Sequence, residues 1–249
     1  MPATTPFITK GRLQPENFFG RTHTIRAVVH VLRAGKSAVI QGAPRAGLSS
    51  LVYVLFKNYH HAERDARVWF IDLKTIATPQ NLIEEFFAGL KIKPTEATLI
   101  ELERTLRRLN QRAIFFIDHA DKFADAPFKD EALFAVLATH LQRERISLCL
   151  AMTLKPEKIF KNRVATPLHE LLTRIELPPF TPTECYELIQ QRLRFTGVHF
   201  DDEEIERLIA QTGGMPADFQ RAAADLFKRK LEKQEGAMRG TGSDSAKRR

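Results

Sequence analysis

Four short apolar runs and a candidate fifth strand limit this chain most. They are "SAVIQ" (37–41), "RVWFIDL" (67–73), "AIFFID" (113–118), "ISLCLAMT" (146–153) and "TRIEL" (173–177). A strand with one wet face alternates apolar and polar residues, whereas a parallel strand covered on both faces does not. Several of these runs show no clean alternation. Helical patterns separate them. In Thr22–Arg33 the residues Ile25, Val28, Val29 and Leu32 recur at helical spacing, and in 49–60 Leu51, Val54 and Leu55 share one face. Asn81–Leu90, Ala97–Leu109 and Glu131–Gln142 also read as helices. Strands alternating with helices predict a three-layer αβα core around a mostly parallel five-stranded sheet.

The pattern changes at Pro178–Pro179. From Thr181 onward only helical signals remain: Thr183–Phe195, Asp201–Gln211 with acids in its first turn, and Ala217–Gln234 after the break "GGMP" (213–216). The expected organisation is an extended arm at 1–17, the αβα core at 18–177, a small all-α subdomain at 178–235 and a disordered basic tail at 236–249. With 249 residues, 43% hydrophobic and 27% charged, the chain suits a soluble globular protein. No apolar run approaches the roughly 18 residues that span a bilayer. The N-terminus carries no secretory pattern, and the two cysteines, Cys149 and Cys185, fall in separate elements. A cytoplasmic setting follows as the expectation. Of the formal charge of +8, the tail contributes +3 through Arg239, Lys247, Arg248 and Arg249 against Asp244.

The stretch "VIQGAPRAGLSSL" (39–51) carries the chemistry. It runs from an apolar strand through a glycine, four residues and a second glycine to hydroxyls that open a helix. Such a loop converges backbone N–H groups on an anion at a helix N-terminus. The spacing is G-x-x-x-x-G-L-S, so Leu48 stands where a phosphate loop carries lysine. The nearby "GKS" (35–37) precedes its strand, which puts Lys36 at the opposite edge of the sheet. Ser49 is the expected Mg²⁺ ligand, and Arg45 is a candidate substitute for the missing charge. The run "AIFFID" ends in Asp118, a carboxylate at the strand tip where open α/β sheets bind ligands. There Asp118 would hold Mg²⁺ opposite Ser49. His119 follows in the place where many ATPases carry a glutamate base. His119 and Asp121 are the candidate bases. A bland reading stays open: a tight strand-to-helix turn and a strand that happens to end in aspartate.

From about Phe18 to Lys230 the chain resembles P-loop ATPases of the AAA+ and STAND group, near the origin-recognition-like and signal-transducing branches. The residues that carry the likeness are "FFGR" (18–21), "GAPRAGLS" as the phosphate loop, "IFFID" as the acidic strand, "LLTRIELPPFTPTE" as the join to the lid, and "TGGMP" in the lid. The strand at 146–153 sits in chain order where that family inserts a sensor strand between the other two. The resemblance implies that Gly42, Ala43, Pro44, Arg45, Ala46, Gly47, Leu48, Ser49 and Ser50 cradle phosphates. It further implies that Arg21 lies by the base and Pro216 by the nucleotide. Thr153 would sense the γ-phosphate, and Arg174 would act as an arginine finger toward a neighbouring subunit. The departures are Leu48 for lysine and His119 for glutamate.

Three functional readings follow, with a fourth, a fully active ATPase, if Arg45 and Asp121 substitute for the missing groups. The first is an ATP- or ADP-binding module, with Mg²⁺, whose hydrolysis is slow or absent and which works as a conformational switch with a protein partner or in a homo-oligomer. The second is a non-catalytic pseudo-ATPase scaffold that assembles with an active relative. The third is a DNA-binding AAA+ protein of the replication or transposition type, resting on "ERTLRRLNQR" (103–112) and the basic tail. No membrane partner is expected.

Overall fold

The computed structural model describes residues 5–62, 67–160 and 168–244, with backbone alone at 61, 62 and 237–244. It divides into two compact units: Arg12–Pro178, and the residues up to Gly11 joined by those from Pro179 onward.

The first unit is built on five parallel strands: β1 (Ser37–Gly42), β2 (Arg67–Asp72), β3 (Ala113–Asp118), β4 (Ile146–Met152) and β5 (Leu172–Leu177). Their order is β2-β3-β4-β1-β5. β4 therefore lies between β3 and β1, as the family resemblance implies for the sensor strand. Helices α1 (Thr22–Arg33) and α2 (Leu48–Ala62) cover one face, while α3 (Pro79–Leu90), α4 (Leu99–Arg107) and α5 (Glu131–Gln142) form the layer on the other. A single-turn helix, α6 (Pro156–Ile159), follows β4.

β3 shows why the apolar runs do not alternate. Phe115 meets Phe86 of α3 edge-on at 4.8 Å, whereas the next residue, Phe116, meets Phe56 and Tyr59 of α2 at 6.1 and 6.0 Å. Both faces are dry, so apolar residues fill successive positions; every residue of β3 and β4 is buried, with Asp118 and Ser147 the polar exceptions. Each such phenylalanine contributes roughly 1.5–3 kcal/mol of burial. A second aromatic cluster, Phe123, Phe134 and Phe160, closes the far side at centroid distances of 5.2–5.7 Å.

The second unit contains α7 (Pro182–Leu193), α8 (Asp202–Thr212) and α9 (Pro216–Asp244). Thr181 with Glu184, and Asp201 with Glu204, form reciprocal capping boxes that start α7 and α8. Gly213, in the left-handed region, ends α8. Gly214 must be glycine: its φ is +70°, and a Cβ would land on the Phe180 carbonyl. Residues 5–11, expected to be extended, instead bend at Pro6–Phe7 and Lys10–Gly11, and they are anchored. Phe7 is buried against Phe200 at 6.1 Å and Phe227 at 6.4 Å, and the Ile8 N–H donates to Gln220 Oε1 at 3.2 Å.

Four helices start earlier than their periodicity predicts, α2 at Leu48 and three others at Pro79, Pro182 and Pro216. Proline lacks an N–H that the first helical residue would leave unpaired anyway, so it suits that position. The backbone of α9 continues to Asp244, past the expected end at Gln234. Residues 1–4 of the arm, 245–249 of the tail and the Arg239 side chain lie outside the described residues.

Candidate functional site

β1 delivers the chain to Gly42 at the C-terminal edge of the sheet, and the loop then turns into α2. A Cβ on Gly42 would stand 3.1 Å from Leu177 Cβ and 3.2 Å from the Leu177 carbonyl oxygen, so backbone and strand β5 approach closely there and a side chain would need Leu177 to give by a few tenths of an ångström. Gly47 has φ +92°, a conformation that L side chains rarely adopt. Within the loop the Ala46 N–H bonds the Ala43 carbonyl, and the first helical bond runs from Leu51 N–H to the Gly47 carbonyl at 2.9 Å. The N–H groups of Gly47, Leu48, Ser49 and Ser50 are thus the four that a helix start leaves without an intrahelical acceptor. Ala43, Pro44 and Arg45 are exposed, and Arg45 also has positive φ. Arg21, buried, donates to the Ala46 carbonyl at 3.4 Å and so touches the loop itself. Lys36 lies just before Ser37, at the opposite end of β1 from the loop.

The acidic strand tip meets this loop. Ser49 Oγ donates to Asp118 Oδ1 at 3.1 Å, across 69 residues of chain. The Asp118 side chain is almost wholly buried, at 2% exposure, yet both oxygens are satisfied. Oδ1 also accepts the His119 N–H at 2.9 Å, and Oδ2 accepts from Arg12 Nη2 at 3.1 Å. A buried carboxylate needs such partners, because an unpaired one costs several kcal/mol on the order of magnitude.

Two residues that sequence reasoning missed complete the cluster. Asp72 ends β2 in register with Asp118, so the two acids emerge side by side at one sheet edge. The signal was available: "RVWFID" and "AIFFID" end alike. Arg12 carried no such signal. Its Nη2 also reaches Asp72 Oδ2 at 2.5 Å. Burial pushes the Asp72 carboxyl up, but hydrogen bonds from Arg12 and His119, the nearby imidazole and the Lys74 N–H outweigh it and hold the group below its ordinary value.

His119 adopts a left-handed backbone, φ 56°, which turns its ring back over the strand tips. Its Nδ1 lies 2.8 Å from Asp72 Oδ1 and 3.5 Å from Asp118 Oδ2. A carboxylate partner assigns the proton to Nδ1 and leaves Nε2 as the acceptor in the neutral ring. Asp121 is occupied elsewhere. Its carboxylate accepts the Thr153 N–H at 2.9 Å on both oxygens and the Leu154 N–H at 2.6 Å, pinning the turn after β4. Thr153 is held there by its backbone, and its carbonyl accepts from the Gln41 side chain at 3.4 Å. Arg174 lies on the edge strand β5 and pairs with Glu176 at 3.3 Å. Pro216 opens α9 in the helical unit. Arg104 and Arg107 of the basic stretch pair with Glu101 and Glu103 on their own helix.

The residues fit a phosphate in kind, because the loop passes close to β5 at Gly42 and turns through a left-handed Gly47. The Ser49 hydroxyl and Asp118 carboxylate are oxygen donors of the type Mg²⁺ takes, but Arg12 already holds Asp118 Oδ2. Leu48, half-buried at the start of α2, supplies no charge. Among the described residues no helix is long and apolar enough to cross a membrane.

The sequence profile of the family described as Novel STAND NTPase 1 matches residues 12–237. No curated protein sequence matches the chain. Among solved structures, the Walker-type ATPase PABY2304 of Pyrococcus abyssi is similar at 19% identity and TM-score 0.64, over 98% of this chain and 80% of that one. The Aeropyrum pernix ORC1 protein, solved in complex with DNA, is similar at 16% identity and TM-score 0.63, over 85% of this chain and 61% of that one. Domain III of the Thermotoga maritima replication initiation protein DnaA gives 15% identity and TM-score 0.56, over 89% and 90% of the two chains. At these identities the likeness is one of fold: a five-stranded parallel sheet between helical layers.

Proposed function

The chain belongs to the Novel STAND NTPase 1 family, and from that premise we propose that it binds ATP or ADP at residues 42–50 and hydrolyses it slowly or not at all. The observation that carries this reading is the Ser49–Asp118 contact at the mouth of a helix whose first four N–H groups point into the loop. Those N–H groups and the helix dipole favour an anion. Mg²⁺, when carried in with a nucleotide, would have the Ser49 hydroxyl as its protein ligand and would screen phosphate charge, while Arg12 already bonds Asp118 Oδ2. Leu48 forgoes a charge-assisted bond worth roughly 1.5–3 kcal/mol, so affinity falls on the order of 10- to 100-fold below a lysine-bearing loop.

Turnover needs a group that deprotonates water. His119 is the base candidate this reading retains, with Nε2 the acceptor and Nδ1 fixed on Asp72. Asp121 is not retained, because its lone pairs hold the backbone of Thr153 and Leu154. A bound nucleotide would bias the αβα unit and the helical unit, the proposed lid with Pro216, between two arrangements, and a partner protein would read the difference. Arg174 as a finger in trans belongs to the same reading.

A pseudo-ATPase scaffold is the second reading, favoured by Leu48 and by the engagement of both Asp118 oxygens. The two separate in one experiment. A switch gains stability with millimolar ATP or ADP, whereas a scaffold shows no shift in Tm and alters only the turnover of an active relative. DNA binding, known for the A. pernix ORC1 protein from its complex, gains little from α4 here, since two of its arginines are paired within the helix.

A further inference from the structure

We propose that Arg12 is the resident cation of the phosphate site and closes the Asp118 position to divalent metal. The proposal rests on reading residues 42–50 as a phosphate loop. One guanidinium nitrogen, Nη2, bonds Oδ2 of both Asp72 and Asp118, at 2.5 and 3.1 Å. The group is clamped as well as paired: its Cζ lies 4.8 Å from the Phe70 ring centroid and 5.3 Å from that of Tyr53. Those two rings meet edge-on at 5.5 Å, and the Leu13 N–H next door donates to Ser50 Oγ at 3.1 Å. The arginine is thereby fastened to β2, β3 and the start of α2 together.

A divalent ion at Asp118 would have to sit beside this guanidinium or displace it from two carboxylates and two aromatic faces. Arginine keeps its charge at any physiological pH, so the position is never free of positive charge. The same group answers the absence of lysine at Leu48. Both carboxylate contacts use one nitrogen, and the buried Nε–H has no acceptor among the described residues. A guanidinium has five N–H donors, and phosphate oxygens are acceptors matched to those that remain. The pocket thus takes a nucleotide's phosphates on Arg12 and backbone N–H groups, with no requirement for Mg²⁺.

Removing the guanidinium uncovers a different site. Ligand atoms of Asp72, Asp118 and His119 all lie within 4.8 Å of one another, a set of carboxylates and imidazole that suits Mn²⁺. The test is Mn²⁺ binding to the full chain without nucleotide, read as loss of the free-ion EPR signal. The wild type and Arg12→Lys are expected to bind Mn²⁺ at least 10-fold more weakly than Arg12→Ala, and Asp118→Asn is expected to abolish the gain. If Arg12→Ala does not fold, Arg12→Gln, which retains the stem against the two rings, carries the same expectation. Equal Mn²⁺ binding by wild type and a folded Arg12 variant overturns the proposal. In a second arm, fluorescent ADP is titrated with Mg²⁺ or with EDTA. Wild-type affinity is expected to agree within 3-fold between the two, and a loss above 10-fold in EDTA overturns the proposal. Should the wild type bind ADP in neither buffer, the nucleotide reading falls, while the Mn²⁺ arm still decides whether Arg12 closes the cation position.

Discussion

Acidification should weaken this fold through one residue far from the loop. His140 of α5 is fully buried, and neither ring nitrogen has a partner among the described residues. Burial, then the charges of Arg145 and Arg143, push its pKa down from 6.5 to about 4; Glu103 opposes them and Arg107 adds to them. Below pH 6.5 the unfolded chain takes up a proton at this residue, and the folded chain does not until about pH 4. Stability is therefore complete above 6.5, declines as pH falls, and levels off below about 4. At about 1.4 kcal/mol per decade of proton concentration, the loss is roughly 2 kcal/mol at pH 5 and roughly 3 kcal/mol in full. Urea unfolding followed by Trp69 fluorescence, in wild type and His140→Leu, isolates the residue, because every other titration is common to both chains. The variant should match or exceed the wild type at pH 7.5, and the difference should move by about 2 kcal/mol in its favour at pH 5. Parallel profiles from pH 7.5 to 4.5 would refute the reasoning.

Other outcomes follow from the same contacts. Leu48→Lys should tighten ADP roughly 10- to 100-fold in equilibrium titration, provided the loop is a phosphate site. Phe7→Ala, which empties a stack on Phe200 and Phe227, should cost about 3–5 kcal/mol in denaturant unfolding. Gly214→Ala combines a left-handed backbone with a clash at Phe180; it should lower Tm by several degrees, whereas Gly11→Ala, equally left-handed but in open space, should cost less.

The αβα core was legible because burial on both faces forbids alternation, and Phe115 with Phe116 shows that constraint acting on adjacent residues. The Ser49–Asp118 meeting was legible too, since a loop after β1 and an acid ending β3 open on the same sheet edge. Asp72 ends its strand as Asp118 does, but only the register of β2 on β3 reveals that the acids are neighbours. Arg12 was not legible at all. Its partners lie 60 and 106 residues away, and no local pattern marks an arginine in an extended arm as the counter-charge of a buried pair. Phe7 was hidden for the same reason: the arm's anchor is tertiary and leaves no period in the sequence. Asp121 was ambiguous in the sequence, because an acid three residues beyond a strand tip serves equally well as a base or as a clasp for a turn, and in the structure it clasps Thr153 and Leu154.

Whether residues 42–50 accept a nucleotide is decided most directly by thermal unfolding of the wild type with ADP added to millimolar levels. A ligand at about 50 times its Kd adds about 2.3 kcal/mol, which for a chain of this size raises Tm by roughly 5–9 °C. That rise should be present in wild type and abolished by Gly47→Val, whose side chain cannot adopt the left-handed turn. An unchanged Tm across the titration, in a folded wild type, would contradict the account.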